Sequence, residues 1–236
     1  MGTSKGYQPP KGFLWSDAKR AVTSMVKSNF ENDSIGKAVG RYNQAARQGG
    51  TPKRQQGLST AGSKAIGFFS TAKSQGFDRA LEQVGLSNLI GKSNEEIYAG
   101  LLDYFVGDGS SLDDSIIRDS MAELLKELFL DAPDDKSFGD VIKDSDMNKF
   151  IKDLITKFIQ KDFIMNFSEK VEAKCKNIEE YKNAENKIKN FIRAKIDTKY
   201  SVGDLSKIDW QGLQGKNFIN DRCNEVMRVF DVYLEG

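Results

Sequence analysis

The sequence predicts an all-α protein, with a helical bundle-like core and a basic, Gly-rich, partly extended N-terminal segment. Apolar residues recur at helical spacing throughout residues 77–236. One such stripe follows the spacing i, i+4, i+7 and i+11 and consists of Ile117, Met121, Leu124 and Leu128. No segment alternates apolar and polar residues convincingly over the length of a strand. Together these patterns favour helices over sheets.

Helix start and stop signals support the same prediction. Ser93 and Glu96 have the spacing of a capping box, in which each side chain accepts a hydrogen bond from the other residue's backbone N–H. Ser111 and Asp114 repeat that spacing ahead of the stripe at 117–128, and Pro133 follows its end. The other helical stripes of this region lie at residues 81–90, 97–105, 151–167, 178–196 and 219–233.

Charge is segregated along the chain, although the formal net charge is only +1. Residues 1–76 carry a net charge of +9, residues 77–147 carry −11, and residues 148–236 carry +3. Residues 1–76 also contain 11 of the 21 glycines. A glycine-rich segment of high net charge buries little apolar surface by itself. We therefore expect this first third to be ordered mainly by a partner.

These patterns suggest three segments. Residues 1–15 are expected to be a flexible N-terminal tail, residues 16–76 a basic, loosely packed helical segment, and residues 77–236 the helical core domain. Within the middle segment, Ser16 is the predicted N-cap of a helix that ends near Lys27. A second helix is predicted over residues 35–47, and residues 57–76 favour a third helix only weakly.

Composition excludes several classes of function. The chain has no histidine, which removes imidazole acid–base catalysis and most zinc and iron sites. Cys175 and Cys223 lie in apolar helical patterns and are expected to be buried free thiols. No apolar run is long enough to span a bilayer. We therefore expect a cytoplasmic protein that is not an enzyme, with no catalytic residue, metal or intrinsic cofactor.

The basic first third leaves nucleic acid open as a partner. Candidate phosphate contacts are Lys53, Arg54, Lys64 and Lys73. The aromatic side chains of Tyr7, Phe13 and Trp15 could stack on bases or anchor a tail on another protein. A third alternative is that the +9 segment neutralises the −11 segment of the same chain or of a partner.

The N-terminal stretch offers a reactive amine. Met1 precedes a small residue and is therefore removable, which would expose the α-amino group of Gly2. An α-amino group has a reference pKa of about 7.7–8.0, so a useful fraction is unprotonated and nucleophilic near neutral pH. A lysine amine, with a reference pKa of about 10.4, is mostly protonated there.

Three stretches carry a resemblance to a known family. They are Gly2-Thr3-Ser4-Lys5-Gly6-Tyr7, then Trp15-Ser16-Asp17-Ala18-Lys19, and the segment 86–103 with its Gly91-Lys92-Ser93 and Ala99-Gly100-Leu101-Leu102-Asp103. With the following Ser111-Leu112-Asp113 they resemble the QatB family, over about the first 130 residues.

This resemblance implies a non-catalytic component of a bacterial anti-phage defence system. Its expected partner is a QueC-like enzyme of the same system (QatC-like), together with an ATPase and a TatD-like nuclease. It implies that Gly2 is the acceptor for a 7-deazaguanine group attached covalently as a 7-amide. The residues expected to bind the enzyme are Thr3, Ser4, Lys5, Gly6, Tyr7 and Trp15. An adaptor whose N-terminus is never modified stays open as an alternative.

Overall fold

The structure is a computed structural model of the 236-residue chain, and it describes residues 11–48, 52–107, 112–130, 136–201, 203–205, 207–210 and 212–235. All regular secondary structure in these residues is helical, and no strand occurs among them. The all-α prediction is therefore confirmed. Residues 1–10 of the predicted tail lie outside the described part of the chain. No described helix is both long and apolar enough to cross a membrane.

The described residues form ten α-helices. In chain order they are α1 (Phe13–Lys27), α2 (Asn32–Gln48), α3 (Pro52–Gln75), α4 (Phe77–Gln83), α5 (Asn94–Val106), α6 (Leu112–Leu125), α7 (Phe138–Asp144), α8 (Met147–Glu172), α9 (Ile178–Lys199) and α10 (Leu213–Arg228). A π-helical turn, Lys126–Leu130, follows α6, and short 3₁₀ turns cover Ser87–Leu89 and Asp231–Tyr233.

The first helix begins earlier than predicted. Gly12, and not Ser16, occupies the N-cap position of α1. Its carbonyl accepts the backbone N–H of Ser16 at 2.9 Å and the Ser16 hydroxyl at 2.9 Å. The serine therefore lies inside the first turn, where its side chain bonds backwards to a carbonyl and caps no N–H group.

The third helix is longer than the sequence suggested, because α3 runs over 24 residues and begins with Pro52. Proline suits the first helical position, since its missing N–H has no partner there anyway. The glycines that weakened the prediction contribute to packing. A Cβ at Gly57 would lie 2.4 Å from a side-chain atom of Ile117, and one at Gly62 would lie 3.3 Å from Ile219.

The capping box predicted at α5 is confirmed. The Glu96 N–H donates to the Ser93 hydroxyl at 3.3 Å, and the Ser93 N–H donates to the Glu96 carboxylate at 3.1 Å. The second predicted box cannot be compared, because Ser111 lies outside the described residues.

The chain divides into two compact units. Unit 1 consists of Met1–Pro52, Ile159–Tyr200 and Asn224–Gly236, and unit 2 consists of Lys53–Phe158 and Ser201–Cys223. Each unit is thus assembled from segments that are distant in sequence. Helices α8 and α10, and α3 through its first residue Pro52, contain residues of both units. The sequence-based division at residues 15 and 76 stays a prediction.

Unit 1 has an aromatic core centred on Tyr42 of α2. Its ring packs edge-on against Trp15, Phe163 and Phe167, with centroid distances of 5.4–5.9 Å. The buried Tyr42 hydroxyl donates a hydrogen bond to the buried Asp162 carboxylate. Edge-to-face pairs add specific orientation to the area that aromatic rings bury.

The chain returns to α2 at the end of unit 1. A Cβ at Gly40 would lie 2.8 Å from the backbone oxygen of Phe230, so the glycine permits this close approach. An ion pair between Arg47 and Asp231, at 2.5 Å, joins the same two elements.

Unit 2 has a phenylalanine core around Phe69 of α3. Its ring lies 5.0 Å from that of Phe150 and 5.8 Å from that of Phe105, both nearly perpendicular to it. Buried side chains therefore also come from before residue 77, and the hydrophobic core is not confined to the region where the sequence signals were strongest.

Candidate functional site

The predicted acceptor and most of the predicted partner-binding residues lie outside the described part of the chain. These residues are Gly2, Thr3, Ser4, Lys5, Gly6 and Tyr7. Their roles stay predictions.

Trp15, the remaining predicted partner-binding residue, is buried in unit 1. Only 2% of its surface is exposed, and its ring lies 5.9 Å from that of Tyr42. A direct contact between this indole and a partner would require the ring to leave its packing.

The four basic candidate residues all belong to unit 2, and three of them have described side chains, each in different surroundings. Arg54 is only 4% exposed, and the side chain of Lys53 is not described. The Lys73 ammonium donates to the carbonyls of Lys143 and Ser145 at 2.9 and 2.6 Å. It thereby satisfies carbonyls at the C-terminal end of α7, a structural role typical of lysine.

Lys64 lines a cavity of about 340 Å³ in unit 2, which we call the α3 pocket. The polar side chains of the lining are Ser63, Lys64, Thr71, Gln83, Tyr104, Trp210 and Lys216. Gly67, Phe68 and Val84 complete it. The pocket thus combines two lysines, two polar aromatic side chains, two hydroxyls and one amide.

Two glycines allow close packing around Ser63 and Trp210, which line the α3 pocket. A Cβ at Gly67 would lie 3.2 Å from the Cβ of Trp210, and one at Gly215 would lie 2.5 Å from the Ser63 hydroxyl oxygen. The Ser63 hydroxyl in turn donates to the Trp210 carbonyl at 2.7 Å. The two glycines therefore let the segment around Trp210 lie directly on α3, and the hydrogen bond fixes its position.

The electrostatics of the α3 pocket are one-sided. Lys64 and Lys216 are the charged residues among its described lining, and both are cationic. The Lys64 ammonium donates to the Tyr104 carbonyl at 2.9 Å and lies 5.0 Å from the centroid of the Tyr104 ring. Burial raises the pKa of the Tyr104 hydroxyl above its ordinary value. This hydroxyl is therefore protonated near neutral pH and can donate a hydrogen bond.

The sequence analysis identified Lys64 but missed the other members of this site. Tyr104 lies 40 residues away, and Trp210 lies 147 residues from Ser63. No local pattern connects positions so far apart. The available signal was the glycine content of α3, because glycine within a helix often marks a close approach of another segment.

Metal-binding clusters and reactive cysteines are two further kinds of site to consider in the described residues. These residues contain no cluster of three or more cysteine, aspartate or glutamate side chains arranged to hold a metal ion. Cys175 and Cys223 are both free thiols, as the sequence predicts. Cys223 is buried in α10 as expected, whereas Cys175 follows the end of α8 and is only half-buried, so its predicted burial in a helix is wrong.

Comparison with known protein families gives a match over most of the chain. Residues 48–230 match the family model described as QatB, Qat anti-phage system associated protein QatB. The match covers most of the chain and extends into the C-terminal helices, where the sequence resemblance is looser. No curated protein matches the chain. No solved structure matches it either.

Proposed function

This chain belongs to the QatB family and is a component of the Qat anti-phage system, and we propose that it is the subunit that presents an acceptor amine to a partner enzyme. The proposed partner is the QueC-like enzyme of that system, and the proposed acceptor is Gly2. The observation that carries the proposal is the family match over residues 48–230, together with the N-terminal stretch Gly2 to Tyr7.

The proposed reaction forms an amide. The QueC-like enzyme would use ATP to convert the carboxylate of 7-carboxy-7-deazaguanine into an acyl-adenylate, with release of pyrophosphate. The unprotonated amine of Gly2 would attack the acyl carbon, AMP would leave, and the nitrogen would lose one proton. An amine held about 3 Å from the acyl carbon needs no further activation, because positioning replaces a bimolecular encounter.

The leader sequence suits this chemistry. Gly2 has no side chain to crowd the reacting carbon, and Gly6 leaves the backbone free to pass close to another surface. Thr3 and Ser4 are small, and Tyr7 is the first large side chain that could fix the register of the leader.

The first prediction is therefore a change of mass at Gly2. Co-expression with the QueC-like enzyme should add one deazaguanine-sized acyl group to the chain, measured by intact mass and located by peptide fragmentation. Gly2→Glu should abolish the addition and the protection against phage, because the bulky residue both retains Met1 and crowds the acceptor. Gly6→Val should reduce the modification more than Lys5→Ala, because it removes backbone freedom and not a solvated charge.

Thermal melting and co-purification with the enzyme are the controls, and neither should change in Gly2→Glu. If the Gly2→Glu variant binds the enzyme and still protects cells fully, the acceptor role is refuted and an unmodified adaptor is left. Nucleic-acid binding through the basic first third stays a prediction, which salt-dependent binding of DNA or RNA to the purified chain would test.

A further inference from the structure

The α3 pocket has the size and the wall chemistry of a small-molecule site. Its volume of about 340 Å³ lies within the range of roughly 300–1,000 Å³ that is typical of ligand pockets. Such pockets combine apolar or aromatic walls with a few polar groups that orient the ligand. Here Phe68 and Val84 are apolar, and Ser63, Thr71 and Gln83 offer hydroxyl and amide groups.

The charge of the pocket favours an anion. Lys64 donates one N–H to the Tyr104 carbonyl, and an ammonium group has three N–H donors. The other two donors are not used by the described part of the chain, so a ligand can engage them. Lys216 is exposed at the pocket and forms no ion pair with a described residue. Among the described residues that line the cavity, none carries a carboxylate to balance these two charges. Hydrogen bonds from ammonium groups to phosphate are among the strong ones in proteins.

The aromatic side chains favour a ligand that also carries a flat ring. Tyr104 and Trp210 come from separate parts of unit 2 and line the same cavity. The Trp210 backbone carbonyl accepts the Ser63 hydroxyl, and the Trp210 ring packs edge-on against Phe218, with a centroid distance of 5.6 Å. Aromatic surfaces bind nucleobases in a sequence-tolerant way, because every base has a π-face.

We propose that the α3 pocket binds a nucleoside monophosphate unit, with its base against Tyr104 and Trp210 and its phosphate held by Lys64 and Lys216. All four residues lie in unit 2 and within the segment that matches the family model. None of these four residues belongs to the N-terminal stretch Gly2 to Tyr7, so the proposal does not rest on modification of Gly2. The unit could come from a free nucleotide or from the end of an oligonucleotide, and the experiment distinguishes these sources.

Isothermal titration of the purified full-length chain tests the proposal. The probes are the four ribonucleoside monophosphates, the matching nucleosides, inorganic phosphate and a single-stranded 12-nucleotide DNA. At least one monophosphate should bind more tightly than its nucleoside and than phosphate alone, because only the monophosphate engages both the rings and the lysines. Competition between that monophosphate and the DNA identifies the source: binding to the DNA alone would mean a nucleic-acid surface and would overturn the proposal.

Substitutions locate the binding. Lys216→Ala should weaken the binding of the monophosphate about tenfold, the loss of one charge-assisted contact, whereas Lys216→Arg should retain most of it. Lys126→Ala is the matched control, since Lys126 is an exposed lysine of the same unit outside the pocket, and it should bind as the unaltered chain does. Equal melting temperatures establish that the variants are folded. The absence of binding by all four monophosphates at millimolar concentration would overturn the proposal, as would unchanged binding in both Lys216→Ala and Tyr104→Leu.

Discussion

At the scale of single residues, the most consequential feature of unit 1 is a polar group inside its aromatic core. The Asp162 carboxylate accepts the Tyr42 hydroxyl and, at 3.1 Å, the side-chain amide of Asn166. All three residues are buried. The sequence did not reveal this arrangement, because an aspartate on a helix is usually a solvated residue and Tyr42 lies 120 positions away.

Removal of the Tyr42 hydroxyl should therefore be costly even though the ring is kept. We expect Tyr42→Phe to lower the free energy of unfolding by about 1.5–3 kcal/mol, because a buried carboxylate loses a donor. Tyr98→Phe is the matched control, since the half-buried Tyr98 hydroxyl donates to the neutral carbonyl of Ala122 at 3.1 Å. Loss of the Tyr98 hydroxyl should lower the free energy of unfolding by only about 0.5–1.5 kcal/mol. Urea denaturation of both variants measures the difference, and equal losses would contradict it.

At the scale of elements, the sequence predicted helices where apolar periodicity and caps agree and was less accurate where glycine interrupts them. The helix α5 was expected from Ser93, Glu96 and its apolar stripe, and it is present. The helix α3 was expected only weakly, because each interior glycine costs a helix roughly 1 kcal/mol relative to alanine. Packing against other segments outweighs the low helix propensity of these glycines. Such tertiary contacts cannot be predicted from the apolar periodicity of a single sequence. The α3 pocket was missed for the same reason.

The change in stability on replacing a helical glycine with alanine should therefore depend on which atoms the added methyl group contacts. Gly40→Ala places a methyl group 2.8 Å from the backbone oxygen of Phe230, which cannot move independently of its chain. We expect this variant to be less stable by about 1–2 kcal/mol, because overpacking exceeds the gain in helix propensity. Gly62→Ala faces side-chain atoms at 3.3–3.4 Å and should range from neutral to about 1 kcal/mol more stable. Thermal unfolding ranks the two variants, and the reverse order would refute this explanation.

At the scale of the whole molecule, the all-α class was predictable, whereas the grouping of the helices was not. Unit 1 draws on three separate stretches of the chain and unit 2 on two. Charge segregation suggested a boundary near residue 76, because composition changes there. The composition of a segment indicates how well it is solvated. It does not indicate which distant segment packs against its apolar face.

Deletion of residues 1–76 tests the two divisions against each other. The fragment 77–236 lacks Tyr42, the ring partner of Phe163 in unit 1, and Phe69, the ring partner of Phe150 in unit 2. We therefore expect it to lose helicity per residue and to unfold over a broader range than the full chain, as measured by circular dichroism during heating. A sharp transition with full helicity would instead support an independent core domain at 77–236.

The contact between α2 and the segment around Phe230 also determines when unit 1 can fold during synthesis of the chain. Arg47 and Asp231 are 184 positions apart. At synthesis rates of about 5–20 residues per second, the segment that packs against α2 is translated roughly 10–40 s after α2 itself. During that interval the glycine face of α2 is open to solvent and to other proteins. Unit 1 is therefore completed only after the ribosome has translated the segment around Phe230, and a nascent chain stalled before that point would carry an uncovered α2.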